Sequence, residues 1–198
     1  FTLGKDYKMM NLYFKRYPCC RWAHPAIDGI LKVMAQENLT HKEISSINIK
    51  TISEAVSLYS IPPTSLENAE YNVVYPVAVA AIYREFTSKY LEERFFNKKE
   101  IRQLMKKIVV VADPKIQKKF PEQCMAEIEL ITNQRRRYHS GLISARGDFD
   151  TPLSERELED KFMNMTKNVL SEKQVQALVG ITKNFEDYHI KDLIKFLK

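Results

Sequence analysis

One short segment concentrates the groups that could do chemistry. Residues 15–25 read Lys-Arg-Tyr-Pro-Cys-Cys-Arg-Trp-Ala-His-Pro, so cations, two thiols, a phenol and an imidazole directly precede a predicted helix. A helix N-terminus offers unpaired N–H groups and the positive end of the helix dipole, which suits a ligand that carries carboxylates. The segment therefore predicts an anion-binding site. The alternative is a loop whose aromatic and thiol groups pack on the core while its cations are solvated, and the residues alone leave both open. The candidate substrate-binding residues are Lys15, Cys19, Arg21 and His24.

Tyr75 is a further candidate, because it stands beside Pro76 within an apolar segment. A tyrosine in such a place either lies in the core with its hydroxyl hydrogen-bonded or acts as an acid or hydrogen-bond donor toward a ligand. Both interpretations stay open at this point.

Other site chemistries have no support in the sequence. The four histidines show neither H-x-x-x-H nor H-E-x-x-H spacing, so no dedicated transition-metal site is predicted. A glycine-rich phosphate loop and a G-x-S-x-G elbow are both missing, which leaves nucleotide binding and serine hydrolysis without a motif. Arg146-Gly147-Asp148 is interpreted as a turn with glycine at its bend.

The composition is that of a packed globular protein. The 198 residues are 44% hydrophobic and carry a net charge of +6, which could mark a nucleic-acid surface, an anionic small-molecule site or a solvated surface rich in lysine. No nucleic-acid partner is expected, because the one dense basic run, 135–137, is short and has no aromatic platform around it.

Location and completeness are expectations from the same sequence. No apolar run reaches the roughly 18 residues of a membrane span, and residues 1–10 do not resemble a secretory signal. Three cysteines, two of them adjacent, indicate reduced thiols and a cytoplasmic protein. Since Phe1 is not an initiator residue, we expect the chain to begin inside a longer gene product.

Periodicity predicts the elements that must position these groups. Apolar residues at helical spacing predict a helix over 25–37, and alternation over 46–51 predicts a strand with one buried face. A buried helix over 69–86, kinked near Tyr75 by Pro76, is predicted next. The remaining predicted elements are a helix at 98–106, a strand at 108–111, a hairpin from 126–130 and 138–144, and two or three terminal helices that begin at capping boxes on Ser154 and Ser171. This order predicts an α+β domain with an antiparallel sheet, followed by a helical appendage.

Three blocks of the sequence, in order, resemble the MmgE/PrpD family. Residues 15–28 resemble its K-x-Y-P-x-C…H-P-x-I-D signature, and residues 68–78 resemble its A-x-x-S-x-x-Y-x-x-A helix. Residues 145–162 resemble its R-G-D…P-L-S…E-L-x-x-K-F ending. Together the blocks span most of the chain.

The resemblance implies an architecture and a class of reaction. Residues 1–148 would be an α/β lid domain with its core at about 11–148, and residues 149–198 would be helices that return to an all-α domain whose N-terminal half is absent. The family acts on di- and tricarboxylates between these two domains, without a metal or cofactor. A small polycarboxylate, the missing helical domain and a second copy in a homodimer are the implied partners, and the mitochondrial matrix is an alternative location in a eukaryote.

By resemblance, Lys15, Cys20 and Tyr75 are the catalytic residues of this part of the protein. A 2-methylcitrate dehydratase-like lyase is expected, with an epimerase or a decarboxylase of the family, or a non-catalytic anion-binding module, as alternatives. Cys20 disfavours decarboxylation, because decarboxylases of the animal type have histidine there. Asn72 stands where many members have serine, and 135–137 replaces an Asp-Gly-like turn. The chain alone is expected to be inactive.

Overall fold

The computed structural model describes residues 3–58 and 60–197, and the chain divides into two compact units, Phe1–Pro152 and Leu153–Lys198. The first unit holds all four described strands and seven helices. The strands are β1 (Ile44–Thr51), β2 (Ile108–Ala112), β3 (Met125–Thr132) and β4 (Arg137–Ser144). The helices are α1 (His24–Gln36), α2 (Ser53–Val56), α3 (Leu66–Glu70), α4 (Val74–Tyr83), α5 (Glu93–Phe96), α6 (Lys99–Met105) and α7 (Pro114–Gln117).

The strands form one sheet in the order β2-β1-β3-β4, which confirms the α+β class. β3 pairs with both β1 and β4 in antiparallel fashion, so the predicted hairpin is confirmed. The prediction of a wholly antiparallel sheet is wrong at one edge, where β2 runs parallel to β1. A parallel neighbour needs a long crossover, and the helical segment between these two strands supplies it.

Helix α1 covers one face of the sheet. Ile128 of β3 and its register partner Ile49 of β1 lie on this face and are fully buried, and their neighbours in sequence are more exposed. A Cβ atom at Gly29 of α1 would lie 2.6 Å from Cγ1 of Ile128, so the helix rests on the sheet at the distance that only glycine allows. The sheet thereby fixes the start of α1 and the turn that precedes it.

The single kinked helix predicted over 69–86 is wrong, because α3 and α4 are separate helices. Asn72 lies between them, and its Oδ1 accepts a hydrogen bond of 2.7 Å from the backbone N–H of Tyr75. Pro76 then falls in the first turn of α4, where a missing N–H disturbs no helical hydrogen bond. The proline therefore starts a new helix and does not bend an old one.

The second unit consists of helices. They are α8 (Glu155–Thr166), α9 (Glu172–Lys183) and α10 (Ile190–Ile194). The predicted capping boxes on Ser154 and Ser171 are both present. Lys183 of α9 pairs with Glu155 and Glu159 of α8, so ion pairs join these two helices. In the part of the chain that the structure describes, no helix has both the length and the apolar character needed to cross a membrane.

Candidate functional site

Asp28 of α1 holds the first half of the basic segment. Its Oδ1 accepts a hydrogen bond of 2.6 Å from the Tyr17 hydroxyl and lies 2.8 Å from Nη1 of Arg16. Burial raises the pKa of the Tyr17 hydroxyl far above its ordinary value, and the charge of Asp28 raises it further, so Tyr17 stays a donor. The segment from Lys15 to Ala23, which we call the basic turn, is therefore anchored to the helix that follows it.

Cys19 and His24 lie inside this structure, with 3% and 1% of their surface exposed. Nε2 of His24 lies 3.4 Å from the carbonyl oxygen of Cys19, and its ring meets the Tyr17 ring edge-on at 5.2 Å. Burial lowers the pKa of His24 to about 4, so the imidazole is neutral at neutral pH. Both residues, which the sequence predicts to contact a substrate, are enclosed in this structure and shape the basic turn from within.

Among the groups of the basic turn that solvent reaches are the side chains of Lys15, Arg16, Cys20 and Arg21. Lys15 is exposed, whereas Cys20 and Arg21 are half-buried. The positive charge of Lys15 lowers the pKa of both Cys19 and His24, against the dominant effect of burial on Cys19 and in the same direction as burial on His24. An exposed ammonium group can bind a carboxylate through charge-assisted hydrogen bonds.

The start of α1 contributes less than the sequence suggested. The backbone N–H of Ala23 donates to the Cys20 carbonyl and that of His24 donates to the Arg21 carbonyl, because a 3-10 turn precedes the helix. Pro25 has no N–H, and it is buried together with the rest of the first turn. An anion at this site would therefore bind to the cations of the basic turn and not to these N–H groups at the start of the helix.

Arg21 is held by residues far away in the sequence. Its guanidinium forms an ion pair with Asp148 and lies 5.1 Å from the ring centroid of Tyr13. The carbonyl oxygen of Arg21 lies 4.0 Å from the sulfur of the buried Cys124. The predicted substrate-binding role of Arg21 therefore competes with a structural one.

Tyr75 is a core residue in this structure. Its side chain is fully buried, and its hydroxyl donates a hydrogen bond of 2.5 Å to the carbonyl oxygen of Tyr90. Phe86 and Phe96 pack edge-on against its ring, at centroid distances of 6.2 and 5.7 Å. Burial raises the pKa of Tyr75 above its ordinary value. Of the two interpretations left open by the sequence, the hydrogen-bonded core tyrosine is the one that this geometry matches.

The basic turn is nevertheless in contact with the end of α3, the helix that precedes α4. The backbone N–H of Cys20 donates to the carbonyl oxygen of Glu70, the last residue of α3, over 2.8 Å. Tyr75 follows five residues later along the chain. The elements that carry Lys15, Cys20 and Tyr75 are thus neighbours, while the Tyr75 hydroxyl itself points into the core.

Comparison with protein families decides the assignment. The family model of the MmgE/PrpD C-terminal domain matches residues 17–187. The chain belongs to the MmgE/PrpD family. The resemblance noted from the three sequence blocks is thereby confirmed, and MmgE/PrpD proteins are generally enzymes. Lys15 lies just outside the matched residues, whereas Cys20 and Tyr75 lie within them. No curated protein matches the chain.

Two residues of the candidate site have no role in the sequence-based prediction. Asp28 was part of a recognised block without a role of its own, although a carboxylate one turn into a helix that follows a basic segment is a signal for an ion pair. Asp148 was interpreted as part of a turn. Its pairing with Arg21 spans 127 positions, and no local pattern could have indicated it.

Proposed function

We propose that residues 1–148 are the substrate-binding lid of an MmgE/PrpD-family enzyme and that residues 149–198 are helices of its all-α domain. The enzyme acts on di- or tricarboxylates by metal-free proton abstraction, and a 2-methylcitrate dehydratase-like lyase is the favoured form. The observation that supports this most is the basic turn, which carries the exposed Lys15 and the half-buried Cys20 on a framework anchored by Asp28. An anchored cation loses little freedom when it binds a carboxylate.

In this proposal Lys15 binds a carboxylate of the substrate and Cys20 lies against the reacting part of the molecule. Tyr75 is proposed as a hydrogen-bond donor to a carboxylate or a developing enolate oxygen, which requires its hydroxyl to exchange the Tyr90 carbonyl for the substrate. The same proposal assigns the remaining acid and base groups to a helical domain upstream of this chain. It also includes a homodimer and a cytoplasmic location.

Citrate and cis-aconitate are the probes with which we test substrate binding at the basic turn. We expect the chain to bind them, and Lys15→Gln to weaken that binding by about tenfold or more, since a charge-assisted hydrogen bond contributes about 1.5–3 kcal/mol. Lys99→Gln, at an exposed lysine of α6, removes the same charge elsewhere and should leave the affinity unchanged. Isothermal titration calorimetry measures both variants, and equal losses in the two would contradict a site at the basic turn.

Catalysis is tested on a protein that also contains an upstream helical domain. Proton NMR would follow 2-methylcitrate, cis-aconitate and iminodisuccinate, and it would detect deuterium exchange next to a carboxylate. The buried hydroxyl of Tyr75 favours a second candidate, an anion-binding module without chemistry. Binding without turnover or exchange of any polycarboxylate would select that candidate.

A further inference from the structure

The Arg146-Gly147-Asp148 block packs against the residues that lead into the basic turn. The backbone N–H of Phe14 donates a hydrogen bond of 2.9 Å to the carbonyl oxygen of Gly147. Gly147 has φ of 105°, and a Cβ atom there would lie 2.1 Å from the carbonyl oxygen of Phe14. Only glycine permits this backbone conformation and this approach together.

Asp148 makes the second connection, through its ion pair with Arg21. The two side chains are only 25% and 19% exposed, so water screens their attraction less than it screens a surface pair. The Tyr13 ring lies against the same guanidinium. Arg21 is thereby held by a carboxylate and by an aromatic ring at once.

Lys15 lies between two anchored neighbours. Phe14 before it is tied to Gly147, and Arg16 after it is tied to Asp28 of α1. The backbone of Lys15 therefore has little freedom, although its side chain reaches solvent. Fixing a cation before its ligand arrives lowers the entropy lost on binding.

We propose that Gly147 and Asp148 are positioning residues for the basic turn. Gly147 holds the backbone before Lys15, and Asp148 holds the turn through its ion pair with Arg21, so that Lys15 is in place to receive an anionic substrate. In this arrangement Arg21 does not touch that substrate. This inference rests on the proposed function, because it assigns the block a role in the same site.

Citrate titrations and amide hydrogen exchange on the whole chain test the proposal together. Asp148→Asn should weaken citrate binding by about fivefold or more and should speed exchange of the Phe14 amide, since a partly buried ion pair contributes about 1 kcal/mol or more. Asp150→Asn, at an exposed position two residues on, removes the same charge and should change neither measurement. A purely local role of Asp148 would leave Phe14 exchange unchanged and would overturn the proposal.

A double variant that exchanges Arg21 and Asp148 distinguishes a positioning role of Arg21 from direct contact with the ligand. Arg21→Asp combined with Asp148→Arg restores an ion pair of opposite orientation, so it should recover part of the binding that each single change loses. Failure to recover, with the ion pair shown by NMR to re-form, would mean that Arg21 itself binds the ligand, and it would overturn the proposal. Gly147→Ala tests the backbone contact independently and should speed Phe14 exchange even if Asp148→Asn folds poorly.

The outcomes distinguish this inference from the proposed function. Citrate binding by the wild-type chain that is insensitive to Asp148→Asn and Gly147→Ala overturns the inference and leaves the proposed function standing. A wild-type chain that binds no polycarboxylate overturns both.

Discussion

Cys20 is the one cysteine of the described residues that solvent reaches, because Cys19 and Cys124 are buried. Burial raises the pKa of Cys19 far above its ordinary value and that of Cys124 to about 12, so both thiols are held in the unreactive protonated form. We expect iodoacetamide to alkylate Cys20 at least tenfold faster than the other two in the folded protein. Peptide mass spectrometry after timed labelling measures the three rates.

Urea is the control for this labelling experiment. All three cysteines should react at similar rates in the unfolded chain, since burial no longer separates them. Bound citrate should slow labelling of Cys20, whereas rapid labelling of Cys19 in the native protein would contradict the enclosed turn.

Tyr75 gives a second prediction at the scale of single residues. Tyr75→Phe removes the donor to the Tyr90 carbonyl and leaves a buried acceptor without it, so the free energy of unfolding should fall by about 1–2 kcal/mol. Tyr71→Phe, at a tyrosine that is 51% exposed, should change it by less than about 0.5 kcal/mol. Urea unfolding followed by fluorescence measures both, and no difference between them would contradict the buried hydrogen bond.

The sequence was enough to select the basic turn as a candidate site, but it did not show which of its side chains are exposed. A row of cations and thiols before a helix indicates a site, yet Cys19 and His24 are enclosed because of how the turn folds back on itself. Asp148 contributes from the far end of the unit. Such a long-range contact leaves no local signal in one sequence.

At the scale of elements, two glycines within helices allow a matched comparison. Gly29→Ala places a Cβ atom 2.6 Å from Ile128, so overpacking should lower the free energy of unfolding by about 1–3 kcal/mol, less the gain from better helix propensity. Gly180→Ala, in α9, meets no atom within 4 Å and should stabilise its helix by about 0.5–1 kcal/mol.

Circular dichroism during urea unfolding measures the stability of Gly29→Ala, and amide exchange within α9 measures the local stability of Gly180→Ala. The same Gly→Ala substitution should lower stability at position 29 and raise it at position 180, because only Gly29 contacts the sheet. Stabilisation by Gly29→Ala would contradict the close packing of α1 on β3.

Local patterns predicted those elements whose partners are local. The hairpin of β3 and β4, helix α1 and both capping boxes follow from periodicity and cap residues close by in the sequence. The parallel pairing of β2 depends on a distant strand, and at the break between α3 and α4 the side chain of Asn72 accepts a hydrogen bond from the Tyr75 N–H. Neither is visible in the spacing of apolar residues.

For the molecule as a whole, the neutral, buried His24 links folding to pH. Burial, together with the charges of Lys15 and Arg21, lowers its pKa from 6.5 to about 4 in the folded chain. As the pH falls below 6.5, His24 binds a proton in the unfolded chain but not in the folded chain, so protonation favours unfolding. The stability that His24 provides is present above pH 6.5 and is lost as the pH falls toward 4.

We therefore expect the free energy of unfolding to fall by about 2 kcal/mol between pH 7 and pH 5, before most carboxylates titrate. His24→Gln should remove most of that slope, because glutamine can still donate to the Cys19 carbonyl but does not titrate. His41→Gln, at a half-buried histidine in a 3-10 turn, should leave the slope in place. Urea unfolding curves at pH 7, 6 and 5 measure all three proteins. An unchanged slope in His24→Gln would place the pH sensitivity elsewhere, and it would mean that the interior of the basic turn admits a charged imidazole.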